Sequence, residues 1–223
     1  MSRKKDVNSQ LKIMKVLAEH KEFEQFKMKN ETGLTYKTII QHLKTLTNYK
    51  VITFRTEPSK KGGKDKKIYR ITFRGLWAIL SELDLEGSEG KKKLEQIIQR
   101  FPEFLLFFKK WPLFVEAGIQ NKMLDFFIPI LRYSWIQYFD MVKLVFSRKR
   151  KHLKEFTEAL DADISENLDS LILVGSLYVP EMKEVLKPIV LSDQELTSFV
   201  KKIIDATEEK LKQVEEIKTF MFV

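Results

Sequence analysis

Five side chains able to recognise a nucleic acid, Tyr36, Lys37, Gln41, Lys44 and Thr45, share one side of a helical projection of residues 36–48. Ile39, Leu43 and Leu46 fall at i, i+4 and i+7 on the other side, the spacing of a face that buries itself. Amides and hydroxyls can meet base edges while lysines meet phosphates, so such a helix suits a major groove. Thr35 and Thr38 at its start and His42 in its middle join the candidate contacts. For His42, packing against a neighbouring helix is the competing assignment. A second cluster follows: Lys60, Lys61, Lys64, Lys66 and Lys67 surround Gly62-Gly63, and Arg55 precedes them. A lysine-dense loop favours non-specific phosphate contact, and the lack of arginine in its tip argues against reading a narrow minor groove.

Both clusters need elements to hold them. Thr32-Gly33-Leu34-Thr35 supplies a bend, because Gly33 can take a positive φ and the Thr35 hydroxyl can cap the helix from Tyr36 to about Asn48. If that helix ends in a left-handed residue, Asn48 tolerates the role best. Alternation predicts a strand over Val51–Glu57, and Lys67–Thr72 is its partner across the lysine loop. Upstream, Leu11, Met14, Val16, Leu17 and Ala18 predict a helix from about Asn8 to His20, capped by Asn8 or Ser9. Phe23 and Phe26 are expected to bury beside it, with Glu24 to Glu31 as a short second helix. Thr72 caps another helix through Gly75, Leu76, Trp77, Ile79, Leu80 and Leu83.

The run from Thr32 to Leu46, together with Tyr69-Arg70-Ile71-Thr72-Phe73-Arg74-Gly75-Leu76, resembles the winged helix-turn-helix transcription regulators of the ArsR and MarR kind, particularly archaeal ones. The resemblance covers the first third of the chain. It implies a three-helix core with a β-hairpin wing, a second motif helix docked in DNA, and a dimer. One departure is that such proteins usually carry Gly just after the recognition helix, where this chain has Asn48-Tyr49-Lys50.

Charge separates the two parts of the chain. The net charge is +9. Residues 1–75 hold 19 Lys and Arg against 7 Asp and Glu, an excess of +12, while the remainder holds 21 against 24, or −3. Excess confined to the winged-helix segment argues for a phosphate partner. Zero cysteines exclude disulfides and thiolate metal sites and suit a cytoplasmic setting. The start, Met1-Ser-Arg-Lys-Lys-Asp, shows no secretory h-region, and the apolar window Met123–Phe146 carries Asp125, Arg132, Asp140 and Lys143, too many charges for a membrane span.

The polar stretch Asp84–Gly90 marks a boundary between a winged-helix domain, residues 1–84, and an all-helical domain, residues 91–223, giving a mainly α fold. Leu94, Ile97, Ile98, Phe101, Leu105, Phe108 and Trp111 predict one helix ending near Pro112. A second, starting at Leu113 or Asn121 and reaching Phe146, is apolar on most of its circumference, with Pro129 as a kink point. Further helices are expected at Leu153–Leu160, Ile164–Tyr178 and Glu181–Leu186, with the basic run Ser147–His152 as a solvated face. Ser192-Asp193-Gln194-Glu195 is a capping box for a long terminal helix whose seam runs Leu196, Val200, Ile203, Thr207, Leu211, Val214, Ile217 and Met221. Such a helix either pairs two copies or covers its own domain. The aromatic cluster from Phe101 to Phe139 is core and subunit interface, with a pocket for an apolar effector as the alternative.

Other chemistries lack their residues. His20, His42 and His152 are not at ligand spacing, so no metal is expected. Asp161, Asp163 and Glu166 lack the glycine and length of a calcium loop, and Gly87 and Gly90 do not belong to a phosphate loop. No cofactor and no catalytic residue are assigned. The residues point to a dimeric, sequence-specific double-stranded DNA-binding protein, a transcription regulator. The alternative is a winged-helix adaptor within a larger nucleic-acid-processing assembly, and a helical enzyme that merely carries a winged helix is a third reading.

Overall fold

The computed structural model describes residues 2–59, 65–85, 87–132 and 165–221. It is mainly helical, with one three-stranded antiparallel sheet of order β1-β3-β2.

Helix α1 (Ser2–His20) buries Ile13, Met14, Val16, Leu17 and Ala18. It begins six residues before the expected start, so Asn8 and Ser9 are interior and cap nothing. Residues 2–7 contain no Gly or Pro to stop the helix earlier. Lys21, at φ 64°, ends it. Glu22–Glu24 then forms β1, paired with β3 in the register Phe23↔Tyr69, where a helix from Glu24 was expected. The helix of this region is α2, only Met28–Thr32. The edge of β3 explains the difference, since its unpaired N–H and C=O groups gain partners from β1. Phe23 is partly buried against the core, but Phe26 is 80% exposed rather than buried.

Gly33 takes φ 65° and its N–H reaches the Lys29 carbonyl, as the bend requires. Thr35 caps α3 (Tyr36–Asn48) by accepting from the Thr38 N–H at 3.3 Å. The left-handed residue after α3 is Lys50, at φ 60°, and not Asn48. The strain, about 1 kcal/mol, is held by hydrogen bonds on either side: Val51 N–H to Leu46 O at 3.2 Å and Thr72 Oγ1 to Lys50 O at 2.7 Å.

Strands β2 (Ile52–Glu57) and β3 (Lys66–Ile71) form the hairpin, in the register Phe54↔Tyr69 and Arg55↔Ile68. Thr72 caps α4 (Phe73–Glu82) by accepting from the Gly75 N–H. Gly75 lets α4 press onto the start of β2, because a Cβ there would sit 2.0 Å from the Val51 carbonyl oxygen. The N-terminal third is therefore a winged helix.

The expected helix over Leu94–Trp111 is three pieces: α5 (Gly87–Arg100), α6 (Leu106–Lys109) and α7 (Trp111–Glu116). Pro102 disfavours helical geometry at Phe101 and breaks the run. Residues 120–132 (α8) are amphipathic rather than apolar all round: Met123, Leu124, Phe127, Ile128 and Leu131 are buried, whereas Asn121, Lys122, Asp125, Pro129 and Arg132 are exposed. The expected continuation to Phe146, the helix Leu153–Leu160 and the basic run Ser147–His152 lie outside the described residues. Residues 165–177 (α9) include a π-type stretch, Ser170–Val174. Helix α10 (Pro180–Ser192) continues through Pro188; Glu184 and Pro188 both face solvent, so the carbonyl that Pro188 cannot satisfy is within reach of water. Helix α11 (Gln194–Met221) is capped by Asp193, which accepts from the Leu196 N–H at 2.9 Å. Ser192 does not cap it, since its hydroxyl instead donates to Ile189 O and closes α10.

The buried apolar residues form one connected cluster from Ile13 to Val200. Phe73 of α4 meets Phe104 edge-on at 6.0 Å. Arg100 donates to Ala18 O at 2.8 Å, and Glu103 pairs with both Lys21 and Arg70. Within the boundary stretch Leu85 is fully buried, and a Cβ on Gly90 would meet its backbone at 2.4 Å, whereas Asp84, Gly87, Ser88 and Glu89 are exposed.

Candidate nucleic-acid interface

The buried stripe of α3 is Ile39, His42, Leu43 and Leu46. His42 is only 3% exposed, so it packs inward and is not a nucleic-acid contact. Its offset of three from Ile39 puts it on the core stripe. Thr35, Tyr36, Lys37, Gln41 and Lys44 are exposed, and Thr38 and Thr45 are half-buried. Both half-buried hydroxyls are engaged locally: Thr38 Oγ1 with Thr35 Oγ1 at 2.8 Å, and Thr45 Oγ1 with Gln41 O at 3.1 Å.

Pairing register sorts the hairpin residues by face. Phe54, Tyr69 and Phe23 are directly cross-strand and share one face, while Arg55 and Ile68 share the other. Arg55 therefore points away from the face that carries Phe54 and Tyr69. It is clamped by Glu22 and Glu57, whose hydrogen bonds raise its pKa. Lys67 lies over the Phe54 ring, 5.0 Å from its centroid, and Lys66 reaches Glu24 at 3.3 Å. Lys60, Lys61 and Lys64 lie outside the described residues.

Between α3 and the hairpin runs an open trough of about 920 Å³. Tyr36, Ile40 and Lys44 form its α3 wall, one helical turn apart, and Phe54, Lys67 and Tyr69 form the opposite wall. Phe26 closes one end, 6.3 Å from the Tyr36 ring. Gln25 links the walls, its amide donating to Tyr36 Oη at 3.0 Å and accepting from Tyr69 Oη at 3.5 Å. Burial, with the neighbouring Tyr36 adding to it, pushes the Tyr69 hydroxyl above its ordinary pKa. That hydroxyl stays protonated at neutral pH.

Sequence reasoning missed Gln25, Phe26, Ile40, Phe54 and Tyr69 as members of this surface. Ile40 carried a signal, as an apolar residue outside the Ile39–Leu43–Leu46 stripe and four residues from Tyr36. Phe54 shares the inward face of Ile52, yet it is 41% exposed because β2 extends beyond the helices that cover Ile52.

Of the described members of the aromatic cluster, Phe101, Phe107, Phe108, Trp111, Phe114 and Phe127 are buried core, and Phe104 and Phe126 are partly buried. Phe107 contacts the rings of Phe108, Trp111, Phe114 and Phe127 at centroid distances from 5.2 to 6.0 Å. The space left beside Phe108 and Phe127 is about 10 Å³, too small for an effector. Tyr133, Trp135, Tyr138 and Phe139 lie outside the described residues. Among the described residues, no helix is long and apolar enough to cross a membrane.

No family model matches the chain, and no curated protein matches it. Among solved structures, Bacillus subtilis PadR in complex with operator DNA is similar over 81% of this chain and 98% of that one, at 18% identity and a TM-score of 0.30. At that score the two backbones do not superimpose as wholes, and the winged-helix assignment rests on the elements described above.

Proposed function

We propose that the chain is a sequence-specific double-stranded DNA-binding protein, a transcription regulator, that reads DNA with α3 and its hairpin. The supporting observation is the exposed row of Tyr36, Lys37, Gln41 and Lys44 beside a lysine-bearing hairpin, in the part of the chain that holds all the excess positive charge. Residues 1–84 form the reading head and residues 91–223 pair two copies. Beyond Val200, α11 leaves the core, with Ile204 and Leu211 exposed and seven residues apart, the repeat of a two-stranded seam. Two heads would supply both affinity and a palindromic target.

Binding of the full-length protein to duplex DNA, followed by fluorescence anisotropy across salt, tests this reading. Each lysine that meets a phosphate adds about 0.9 to the slope of log K against log salt, so the slope should be steep. Replacing Lys60, Lys61, Lys64, Lys66 and Lys67 with Ala should weaken binding to all sequences alike, whereas Gln41→Ala should flatten sequence preference. Affinity indifferent to salt, or no affinity for DNA, would leave the adaptor reading in its place.

A further inference from the structure

We propose that the trough between α3 and the hairpin is a stacking site for unpaired nucleobases, so that the protein engages DNA in which a few bases have left the duplex. The inference rests on the reading that this face takes nucleic acid, and it specifies the form of that nucleic acid.

The walls are the first observation. Phe26, Tyr36, Ile40 and Phe54 are 80%, 44%, 44% and 41% exposed, although three of them are aromatic. All four line one concave surface. A phosphate backbone gains little from aromatic walls, and bases stacked inside a duplex show a groove only their edges. An unpaired base presents a π-face, which stacks on aromatic side chains irrespective of sequence. The aromatic pairs are also set at angles, 62° for Phe26 and Tyr36 and 37° for Phe54 and Tyr69, so neither pair is closed into a face-to-face stack on itself.

Charge selects the occupant. Lys44, Lys66 and Lys67 stand around the trough with Glu24 and Asp65, but Glu24 is neutralised by Lys66 and by Lys27 at 3.7 Å. The rim is therefore net positive and complements a polyanion. Lys67 over Phe54 interleaves a cation with a ring at the lip, the combination that tracks a single strand by phosphate contact and stacking together. The floor adds edge chemistry. Gln25 spends one amide N–H on Tyr36 and one lone pair on Tyr69, leaving a donor and an acceptor to offer a base. The volume, about 920 Å³, falls within the range of ligand sites, roughly 300–1,000 Å³.

The test uses the full-length protein and three probes of one sequence: a fully paired duplex, the same duplex with a central unpaired stretch of about six nucleotides, and the single strand. 2-Aminopurine in the unpaired stretch reports stacking by its quenching. We expect tighter binding to the interrupted duplex than to the paired one, with quenching. Phe54→Ala and Phe26→Ala should each weaken the interrupted complex roughly 5- to 100-fold more than they weaken the paired one. Phe54→Leu, which keeps an apolar wall and removes the ring, should behave like Phe54→Ala. Equal affinity for paired and interrupted duplexes, without quenching, would overturn the stacking site and leave the duplex-binding reading intact. Failure to bind any of the three probes would overturn both, and the trough would then be the seat of an apolar protein segment. Circular dichroism of each variant guards against loss of fold, and both phenylalanines are exposed enough for substitution to spare it.

Discussion

Replacing Asp169 with Asn should abolish a pH dependence that the wild-type protein carries in its helical layer. Asp169 is buried on α9, and its carboxylate accepts from the Leu106 N–H at 2.7 Å and the Phe107 N–H at 2.8 Å, capping α6. Burial pushes its pKa up to about 6, the two backbone hydrogen bonds pull against that rise, and Glu166 adds to it. An unfolded aspartate titrates near 4, so the folded protein binds the extra proton between about pH 4 and 6. Stability from this group is fully present below about pH 4 and is lost as pH rises through 6. Two pH units correspond to about 3 kcal/mol. Asn cannot ionise, but its NH₂ faces a backbone donor, and an unsatisfied N–H costs about 1–3 kcal/mol. Asp169→Asn should therefore be destabilising near pH 4 and close to neutral near pH 7. Urea unfolding of both proteins by circular dichroism across that range measures the difference, and titrations common to both cancel. A wild-type-minus-variant difference that stays flat with pH would refute the reasoning.

Two other expectations follow from local geometry. Gly75→Ala drives a Cβ into the Val51 carbonyl and disturbs the Thr72 N–H bond to that same oxygen, a loss of about 2–5 kcal/mol from overpacking and a broken buried bond; Gly175→Ala, whose Cβ would meet only the Phe126 ring at 3.4 Å, should be neutral or mildly stabilising in the same thermal melt. Replacing Ile204 and Leu211 with Asp should convert a dimer into a folded monomer in sedimentation experiments, and a wild-type protein already monomeric at micromolar concentration would defeat the pairing role of α11.

Strong local signals were readable from the sequence wherever the local chemistry also decided the structure. Thr35 and Thr72 cap the helices their spacing assigned, Gly33 takes the positive φ its bend demanded, and the hairpin flanks the lysine loop. The misses come from competition, either with partners distant in sequence or with the helix that adjoins the residue. Glu22-Phe23-Glu24 is too short to declare a strand until β3 is beside it. Asn8 can cap a helix but does not when the residues before it continue the helix, and Asp193 takes the role assigned to Ser192 because α10 runs on to claim that residue. In the candidate site, helical spacing separated an inner and an outer face of α3 and left His42 between two assignments, of which burial decides for packing. The sequence alternation could not reveal that Arg55 is held by Glu22, a residue 33 positions away. The trough itself was invisible, because its walls come from α3 and the hairpin and its end from the loop after β1, and no single periodicity spans them.

The continuity of the apolar cluster has a thermodynamic consequence. Phe73, Trp77 and Leu80 of α4 face Leu105, Phe108, Phe127 and Leu168 across a nearly closed seam, so the head cannot lose its structure without baring the helical layer, or the reverse. Occupancy at α3 then raises the unfolding free energy of the whole cluster by RT ln(1 + [L]/Kd), about 2.7 kcal/mol at a hundredfold excess over Kd. That stabilisation would slow amide hydrogen exchange at Leu196 and Val200, cluster members that belong to α11 and not to the winged helix.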